Sequence, residues 1–123
     1  MREAPWKNDA PWPENDPQYR FPNYITDGPF LYRTRERVLL MLWSSVGKNG
    51  YTVGVARSGS GRIEGPWRQD REPLYDRDGG HAMIFRTFDN RLMMALHQPN
   101  TRPEERARLL MLEDSGHSLE VLE

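Results

Sequence analysis

The sequence predicts an all-β protein built from two consecutive antiparallel sheets, and three observations support this prediction. An internal repeat is present, because "TDGPFLYRT" from Thr26 returns as "GGHAMIFRT" from Gly79, with Arg33 and Arg86 at the same place, 53 positions apart. The apolar runs are short and are bounded by glycine, aspartate and asparagine, which favour turns. Ten prolines and ten glycines among 123 residues disfavour long helices.

The first copy of the repeat predicts three strands and a short outer one. Residues 30–33 form the first strand, and the nearly continuous apolar run 38–45 forms the second. The segment 47–50, "GKNG", supplies residues that tolerate positive φ, so it predicts a hairpin turn into a third strand over residues 51–57. A turn-rich segment then leads to a short outer strand near Trp67.

The second copy repeats this order. It predicts strands at residues 83–86 and 91–97, followed by a loop, and then strands at 108–113 and 119–122. Residues 103–112, "PEERARLLML", also suit a helix, since they contain good helix formers and begin with proline. The register of the repeat favours a strand there.

A repeat of about 50 residues with three or four antiparallel strands is typical of one blade of a β-propeller. The predicted organisation is an extended Pro- and Trp-rich leader over residues 1–25, one blade over 26–78 and a second over 79–123. Two blades form an incomplete ring, since propellers have about 4–8. The alternative is a small sandwich of seven or eight strands.

Composition excludes several functions. A formal net charge of −1 gives no electrostatic reason to expect nucleic acid or membrane partners. No apolar run reaches the roughly 18 residues that span a bilayer, and the N-terminus as it stands has no apolar signal-peptide region, so the localisation is open. Without cysteine there is no disulfide or thiolate chemistry.

Three phrases carry a resemblance to a known family: "TDGPFLYRT", "LLMLWSSVGKNGYTVGVARSGSGRIEGPW" and "DGGHAMIFRTFDNRLMMALHQPN". Together they resemble the C-terminal portion of glycoside hydrolase family 43, five-bladed propellers that act on arabinose- and xylose-containing carbohydrate. The resemblance covers residues 24–113 and implies inverting hydrolysis by three carboxylates. It places the general base and the orienting aspartate upstream of these phrases, so we expect little or no hydrolysis by the chain alone. A non-catalytic carbohydrate-binding propeller fragment is the alternative.

Asp27 stands where the resemblance places the general acid, a glutamate that opens a blade. Aspartate is one methylene shorter, and the alternative is that Asp27 caps the turn at Gly28 through its carboxylate. Glu64 lies in a literal Glu-Gly-Pro phrase, but it follows the third strand, so we expect a solvated loop carboxylate there.

His81 follows two glycines at the start of the second blade. The resemblance implies that it points into the central channel and helps to hold a cation there, often calcium, largely through water. Calcium prefers oxygen ligands, so a single histidine is weak evidence by itself, and a hydrogen-bonded turn residue is the alternative.

Aromatic residues are candidates for stacking on sugar rings. Trp12 and Tyr24 precede the first blade, and Trp43 lies within an apolar run where core packing is the stronger alternative. Arg33 and Arg86 occupy the same place in both copies, which favours a scaffold role such as bonding to nearby carbonyls.

An incomplete propeller exposes apolar blade faces, which soluble proteins rarely leave open. We therefore expect the chain to form a homo-oligomer or to pair with a complementary N-terminal propeller half. The other expected partner is an arabinosyl or xylosyl carbohydrate.

Overall fold

The computed structural model describes residues 4–7 and 25–122, which form an all-β structure. Its eight strands are β1 (Asp27–Arg33), β2 (Leu39–Gly47), β3 (Gly50–Ser58), β4 (Trp67–Gln69), β5 (Gly80–Arg86), β6 (Leu92–Gln98), β7 (Arg106–Asp114) and β8 (Leu119–Leu122). They make two antiparallel four-stranded sheets, ordered β1-β2-β3-β4 and β5-β6-β7-β8. Each sheet contains four consecutive strands, as a propeller blade does, so the predicted fold class is confirmed. No membrane-spanning helix is found among the described residues.

The helix considered for residues 103–112 is wrong, and the strand favoured by the repeat register is present as β7. Burial alternates along this strand: Leu110 and Leu112 are buried, whereas Leu109 and Met111 are exposed. A period of two residues is the pattern of a strand that has one face against a core. Pairing with β6 on one side and β8 on the other then outweighs the helix propensity of the sequence.

The repeat is structural as well as sequential. β1 and β5 each begin with a β-bulge, between Asp27 and Phe30 in β1 and between Gly80 and Met83 in β5. Each bulge contains a residue with positive φ, which is Gly28 in β1, with φ of 53°, and His81 in β5, with φ of 56°. A bulge re-aims side chains at the edge of a sheet. The bulge thus holds His81 in a backbone conformation that few non-glycine residues adopt.

The repeated arginines brace the turns that follow β1 and β5. Arg33 Nη1 donates a hydrogen bond to the Arg37 carbonyl oxygen at 3.2 Å, and Arg86 Nη1 donates one to the Asn90 carbonyl oxygen at 3.2 Å. Both acceptor residues have positive φ, which exposes their carbonyl groups at a tight turn. The scaffold role predicted for the two arginines is confirmed.

The hydrophobic core lies between the two sheets. The first sheet contributes alternate residues of β2 and β3, and the second contributes the facing side of its four strands. The buried members are Leu40, Leu42, Val53, Val55, Tyr75, Ala82, Ile84, Leu92, Met94, Leu96, Leu110, Leu112 and Leu119. The sheets are also joined by polar contacts, since the Tyr32 hydroxyl donates to Asp114 Oδ2 at 2.8 Å and Arg57 Nη1 donates to the His117 carbonyl at 2.7 Å.

The short described part of the leader lies against the first sheet. Lys7 forms an isolated antiparallel bridge with Gly47 at the end of β2. Trp6 packs on Trp43 with ring centroids 4.9 Å apart, and a Cβ on Gly54 would lie 2.5 Å from Trp6 Cε2. Because side chains alternate along β2, Trp43 points away from the face that carries Leu42. Trp6 therefore covers the face of the first sheet that is opposite the core.

Candidate functional site

The candidate site is formed by residues at the beginning of β1, β3 and β5, at the same end of the two sheets. Asp27 Oδ2 accepts a hydrogen bond from the Tyr51 hydroxyl at 2.8 Å and lies 3.5 Å from His81 Nδ1. The other carboxylate oxygen, Oδ1, accepts from the Gly28 N–H at 3.0 Å. The side chains of Asp27 and His81 are 50% and 58% exposed, whereas Tyr51 is buried. The site thus presents a carboxylate and an imidazole to solvent above a buried phenol.

Both alternatives for Asp27 are visible in this geometry. The bond from the Gly28 N–H is the turn cap that the sequence favours as the non-catalytic alternative. The second oxygen remains directed towards Tyr51 and His81, so capping the turn uses only half of the carboxylate. Its role as general acid stays a prediction.

Tyr51 is held in place from several sides. Its N–H donates to Asp78 Oδ1 at 3.0 Å, and its ring stacks on His97 with centroids 5.3 Å apart and planes 19° apart. The ring also lies directly over Gly80, where an added Cβ would come within 2.5 Å of Tyr51 Cδ1. Only glycine permits this close approach, so Gly80 helps to place the phenol beneath Asp27.

The surroundings of Asp27 favour its ionised form. Partial burial would raise the pKa of the Asp27 carboxyl, but the Tyr51 hydroxyl, the His81 charge and the Gly28 N–H outweigh burial and lower it. Burial and the neighbouring carboxylate raise the pKa of Tyr51 far above its usual range. The Tyr51 hydroxyl therefore stays protonated and donates its hydrogen bond to Asp27. A general acid needs the opposite, a raised pKa at neutral pH. In this chain the surroundings of Asp27 therefore favour a carboxylate that accepts hydrogen bonds.

Replacing Tyr51 with phenylalanine is expected to raise the pKa of Asp27. The Tyr51 hydroxyl stabilises only the carboxylate form of Asp27, so it lowers the pKa of Asp27 in the folded state. A lowered folded-state pKa stabilises the fold at pH values above the pKa of the unfolded chain. This stabilisation is lost as the pH falls through the folded-state pKa. The stability difference between wild type and Tyr51→Phe should therefore be present at neutral pH and shrink on acidification. An NMR titration of the Asp27 carboxyl carbon measures the pKa directly.

Tyr32→Phe is the matched control, since the Tyr32 hydroxyl binds a different carboxylate, Asp114, and helps to lower its pKa. This variant should raise the pKa of Asp114 and leave that of Asp27 unchanged. An unchanged Asp27 pKa in Tyr51→Phe would contradict the assigned hydrogen bond.

A cleft of about 460 Å³ opens beside Asp27. It is lined by Ile25, Asp27, Tyr51, His97, Asn100, Arg102 and Glu105. Arg102 and Glu105 belong to the loop between β6 and β7 and form an ion pair at 3.7 Å. The cleft therefore has one wall from the first sheet, with Asp27 and Tyr51, and another from the second, with a further carboxylate.

Sequence reasoning missed Tyr51 and Glu105. Tyr51 directly follows the hairpin turn that joins β2 and β3, so it lies at the end of the sheet where Asp27 begins β1. This shared position was the sequence signal that could have placed Tyr51 near Asp27. Glu105 lies in a mixed-charge loop whose sequence gives no sign that it reaches the cleft.

The sugar-stacking role considered for Trp43 is wrong, because the side chain is buried, as the packing alternative predicts, although it packs beneath Trp6 on the face opposite the core between the sheets. Trp43 is 0% exposed, its Nε1 donates to Gln69 Oε1 at 2.9 Å, and Trp6 covers its ring. A sugar ring cannot reach a face that is already covered by protein. Trp12 and Tyr24, the other two candidates, lie outside the described residues.

Glu64 is a solvated loop carboxylate, as expected. Its side chain is 64% exposed and pairs with Arg62 at 3.1 Å, in the loop between β3 and β4. The Arg33 side chain bonds to this loop at Gly61, so the loop lies near the end of β1 that is opposite Asp27.

His81 is both a turn residue and a neighbour of the cleft. Its N–H donates to Ser44 Oγ at 2.9 Å, which is the hydrogen-bonded turn alternative, while its ring faces Asp27. Among the described residues there is no group of three or more His, Asp or Glu side chains that could hold a metal. Calcium takes 6–8 oxygen ligands, so Asp27 and His81 do not by themselves fit it. The calcium site remains a prediction that depends on groups from elsewhere.

Comparison with solved structures identifies a related protein. The chain superposes on the crystal structure of an endo-arabinase from Bacteroides thetaiotaomicron VPI-5482 with a TM-score of 0.81 and 36% sequence identity. The match covers 95% of this chain and 39% of the endo-arabinase chain. Neither protein-family profiles nor curated protein sequences give a match. Over nearly its whole length, this chain is therefore similar to a part, about two-fifths, of an endo-arabinase.

Proposed function

We propose that this chain is part of a glycoside hydrolase of the family 43 type, which hydrolyses O-glycosidic bonds in arabinose- or xylose-containing carbohydrate. The observation that carries the proposal is the similarity to an endo-arabinase at 36% identity over 95% of this chain. In this chain Asp27 and Tyr51 line a cleft, and His81 lies 3.5 Å from Asp27. At this level of identity, and with phrases of the family in the same order, the similarity supports more than a shared fold.

Asp27 is the residue proposed to act at the scissile bond. In an inverting mechanism a carboxylic acid gives its proton to the leaving oxygen, while a second carboxylate about 6.5–9.5 Å away removes a proton from the attacking water. Asp27 in this chain is biased towards the carboxylate form, so the acid role needs surroundings that raise its pKa. A carboxylate brought close by further blades would have this effect, since like charges favour a shared proton.

Hydrolysis by the chain alone is proposed to be weak or absent. The resemblance places the base and the orienting aspartate upstream of the phrases found here, and without a base no water is activated. The proposed partners are carbohydrate and either further copies of this chain or a complementary N-terminal propeller half, which would close the channel around Asp27.

A second proposal is that the chain binds carbohydrate without cleaving it. The lowered pKa of Asp27 favours this role, because an ionised and half-exposed carboxylate accepts hydrogen bonds from sugar hydroxyls. The Arg102 and Glu105 side chains in the opposite wall offer donors and acceptors to the same ligand.

The test combines binding and turnover on one sample. Arabino- and xylo-oligosaccharides are titrated into the labelled chain by NMR, and nitrophenyl arabinosides and xylosides are assayed for release of nitrophenol. We expect the oligosaccharides to change the NMR chemical shifts of Asp27, Tyr51 and His81. Any turnover should fall by about 10²–10⁴-fold in Asp27→Asn, the usual contribution of a general acid.

Asp89→Asn is the control, since Asp89 is an exposed carboxylate in the turn after β5, paired with Arg91 at 2.9 Å. It should change neither binding nor turnover. Binding without turnover by the chain alone agrees with both proposals, and turnover that appears when a complementary propeller half is added would favour the first. The absence of binding and of turnover would contradict the two proposals together.

A further inference from the structure

The last part of the segment that joins the two sheets, residues 76–79, is bound to both of them beside the cleft. On the first sheet, the Gly79 N–H donates a hydrogen bond to the Tyr51 carbonyl oxygen at 2.8 Å. On the second sheet, the side chain of Gln98, at the end of β6, donates to the Arg77 carbonyl oxygen. The joining segment is therefore held between the beginning of β3 and the end of β6, which contribute to opposite walls of the cleft.

Asp78 reaches both walls with its side chain. Its Oδ1 accepts a hydrogen bond from the Tyr51 N–H at 3.0 Å, and its Oδ2 accepts one from the Asn100 N–H at 3.2 Å. Tyr51 lies at the beginning of β3, and Asn100 lies in the loop between β6 and β7. The carboxylate also packs against Gly50, where an added Cβ would lie 2.5 Å from Asp78 Oδ1. One carboxylate thus binds the first sheet through one oxygen and the β6–β7 loop through the other.

These two bonds belong to a closed set of contacts. His97 Nε2 lies 2.9 Å from Asn100 Oδ1, within hydrogen-bonding distance, and the His97 ring stacks on the Tyr51 ring. Asp78 completes the set, because it binds the N–H groups of both Tyr51 and Asn100. Tyr51, His97 and Asn100 all line the cleft. Asp78 is not among the lining residues, so it holds both walls without occupying the space that a ligand would take.

The β6–β7 loop carries two charged side chains of the second wall, Arg102 and Glu105. The Arg102 side chain is 96% exposed, and its ion pair with Glu105 at 3.7 Å joins two residues of the same loop. This ion pair therefore does not hold the loop against the first sheet. The bond from the Asn100 N–H to Asp78 does so, since Asp78 also binds the Tyr51 N–H. Asp78 thus ties the loop to the opposite wall of the cleft.

We propose that Asp78 is a positioning residue of the candidate site, which fixes the two walls of the cleft relative to each other. It acts through the N–H groups of Tyr51 and Asn100 and does not touch the ligand. A second wall that is already in place lowers the entropic cost of binding, because the ligand does not have to order it. The effect on carbohydrate binding rests on the proposed function, whereas the coupling between the two walls does not.

Two variants of Asp78 and one control separate this role from a general loss of stability. Asp78→Gly removes both bonds and suits the backbone, because Asp78 has φ of 56° and glycine adopts positive φ without strain. Asp78→Asn is the conservative variant, since asparagine also tolerates this conformation but has one acceptor oxygen instead of two. Asp76→Asn is the matched control, because Asp76 lies in the same segment and accepts a bond from Asn49 of the first sheet at 3.1 Å.

Amide hydrogen exchange of the whole chain, followed by NMR, measures the coupling between the walls without a ligand. Asp78→Gly should speed exchange at the N–H groups of Tyr51 and Asn100 by at least about tenfold, as loss of a hydrogen bond to a charged group does. Asp78→Asn should have a smaller effect, and Asp76→Asn should leave both rates unchanged. The N–H of Met94, which is buried in the core, should change less in Asp78→Gly, because the loosening is local.

Titration with arabino- and xylo-oligosaccharides measures the consequence for binding. Asp78→Gly should weaken binding by about tenfold, because the ligand must then order the Arg102 and Glu105 side chains itself. Asp78→Asn should recover part of this loss, and Asp76→Asn should bind as the wild type does.

Three outcomes would overturn the proposal. They are unchanged exchange at Asn100 in Asp78→Gly, an equal increase at Met94, and wild-type affinity in a variant whose Asn100 exchange has risen. If exchange at Tyr51 and Asn100 rises as expected but the wild-type chain binds no carbohydrate, the coupling between the walls is supported and the proposed function fails. The two failures are therefore distinguishable.

Discussion

Leu42→Ala is expected to lower the free energy of unfolding by about 2–5 kcal/mol, the usual cost of deleting a fully buried leucine side chain. Leu42 is 0% exposed and lies in the core between the two sheets, where β2 faces the second sheet. A cavity there affects the contact that joins the two sheets as well as the first sheet itself. Because native domains have a total stability of about 5–15 kcal/mol, this variant should lose a large fraction of it.

Chemical denaturation followed by circular dichroism measures the loss. Leu31→Ala is a matched control in the neighbouring strand β1, since Leu31 is 42% exposed and points away from the core. We expect this variant to lose less than about 1 kcal/mol, in line with substitutions outside the core. Equal losses in the two variants would mean that the sheets do not depend on this core for their association.

Gly80→Ala is expected to lower stability by about 1–3 kcal/mol, the usual cost of overpacking, and to change the candidate site as well. The added Cβ would lie within 2.5 Å of Tyr51 Cδ1 and 3.0 Å from Ser44 Oγ, so the phenol must move. Moving it breaks the bond from Tyr51 to Asp27 and disturbs the Ser44 hydroxyl that binds the His81 N–H. The pKa of Asp27 should therefore rise in Gly80→Ala, as it does in Tyr51→Phe.

Gly59→Ala provides the matched control for glycine replacement. A Cβ at Gly59 would meet only ordinary contacts, at 3.6 and 3.7 Å from atoms of Pro66. Its stability and the Asp27 titration should stay close to those of the wild type. If Gly80→Ala leaves the Asp27 pKa unchanged, the hydrogen bond from Tyr51 to Asp27 does not depend on the absence of a side chain at Gly80. That result would contradict the role assigned to Gly80.

Local patterns were sufficient for the strands and for their order. Short apolar runs and turn residues predicted the hairpin at Gly47 and Gly50, and β8 lies where the apolar residues 119–122 placed it. The same patterns missed the first three residues of β1 and of β5, because Gly28-Pro29 and Gly79-Gly80-His81 resemble turns. Pairing with β2 and β6 across a bulge, which is not visible in either strand alone, extends both strands to Asp27 and Gly80.

The sequence by itself determined that this chain is an all-β protein with two similar sheets, since short apolar runs and turn residues act over a few neighbouring positions and the repeat shows the same pattern twice. It also placed Asp27 and His81 together at the start of matching strands. Only the tertiary structure decided that Tyr51 lies beneath them, that the surroundings favour an ionised Asp27 and that Trp6 covers Trp43. These features depend on contacts between residues that are distant in sequence, so burial and electrostatics decide them after the two sheets have packed.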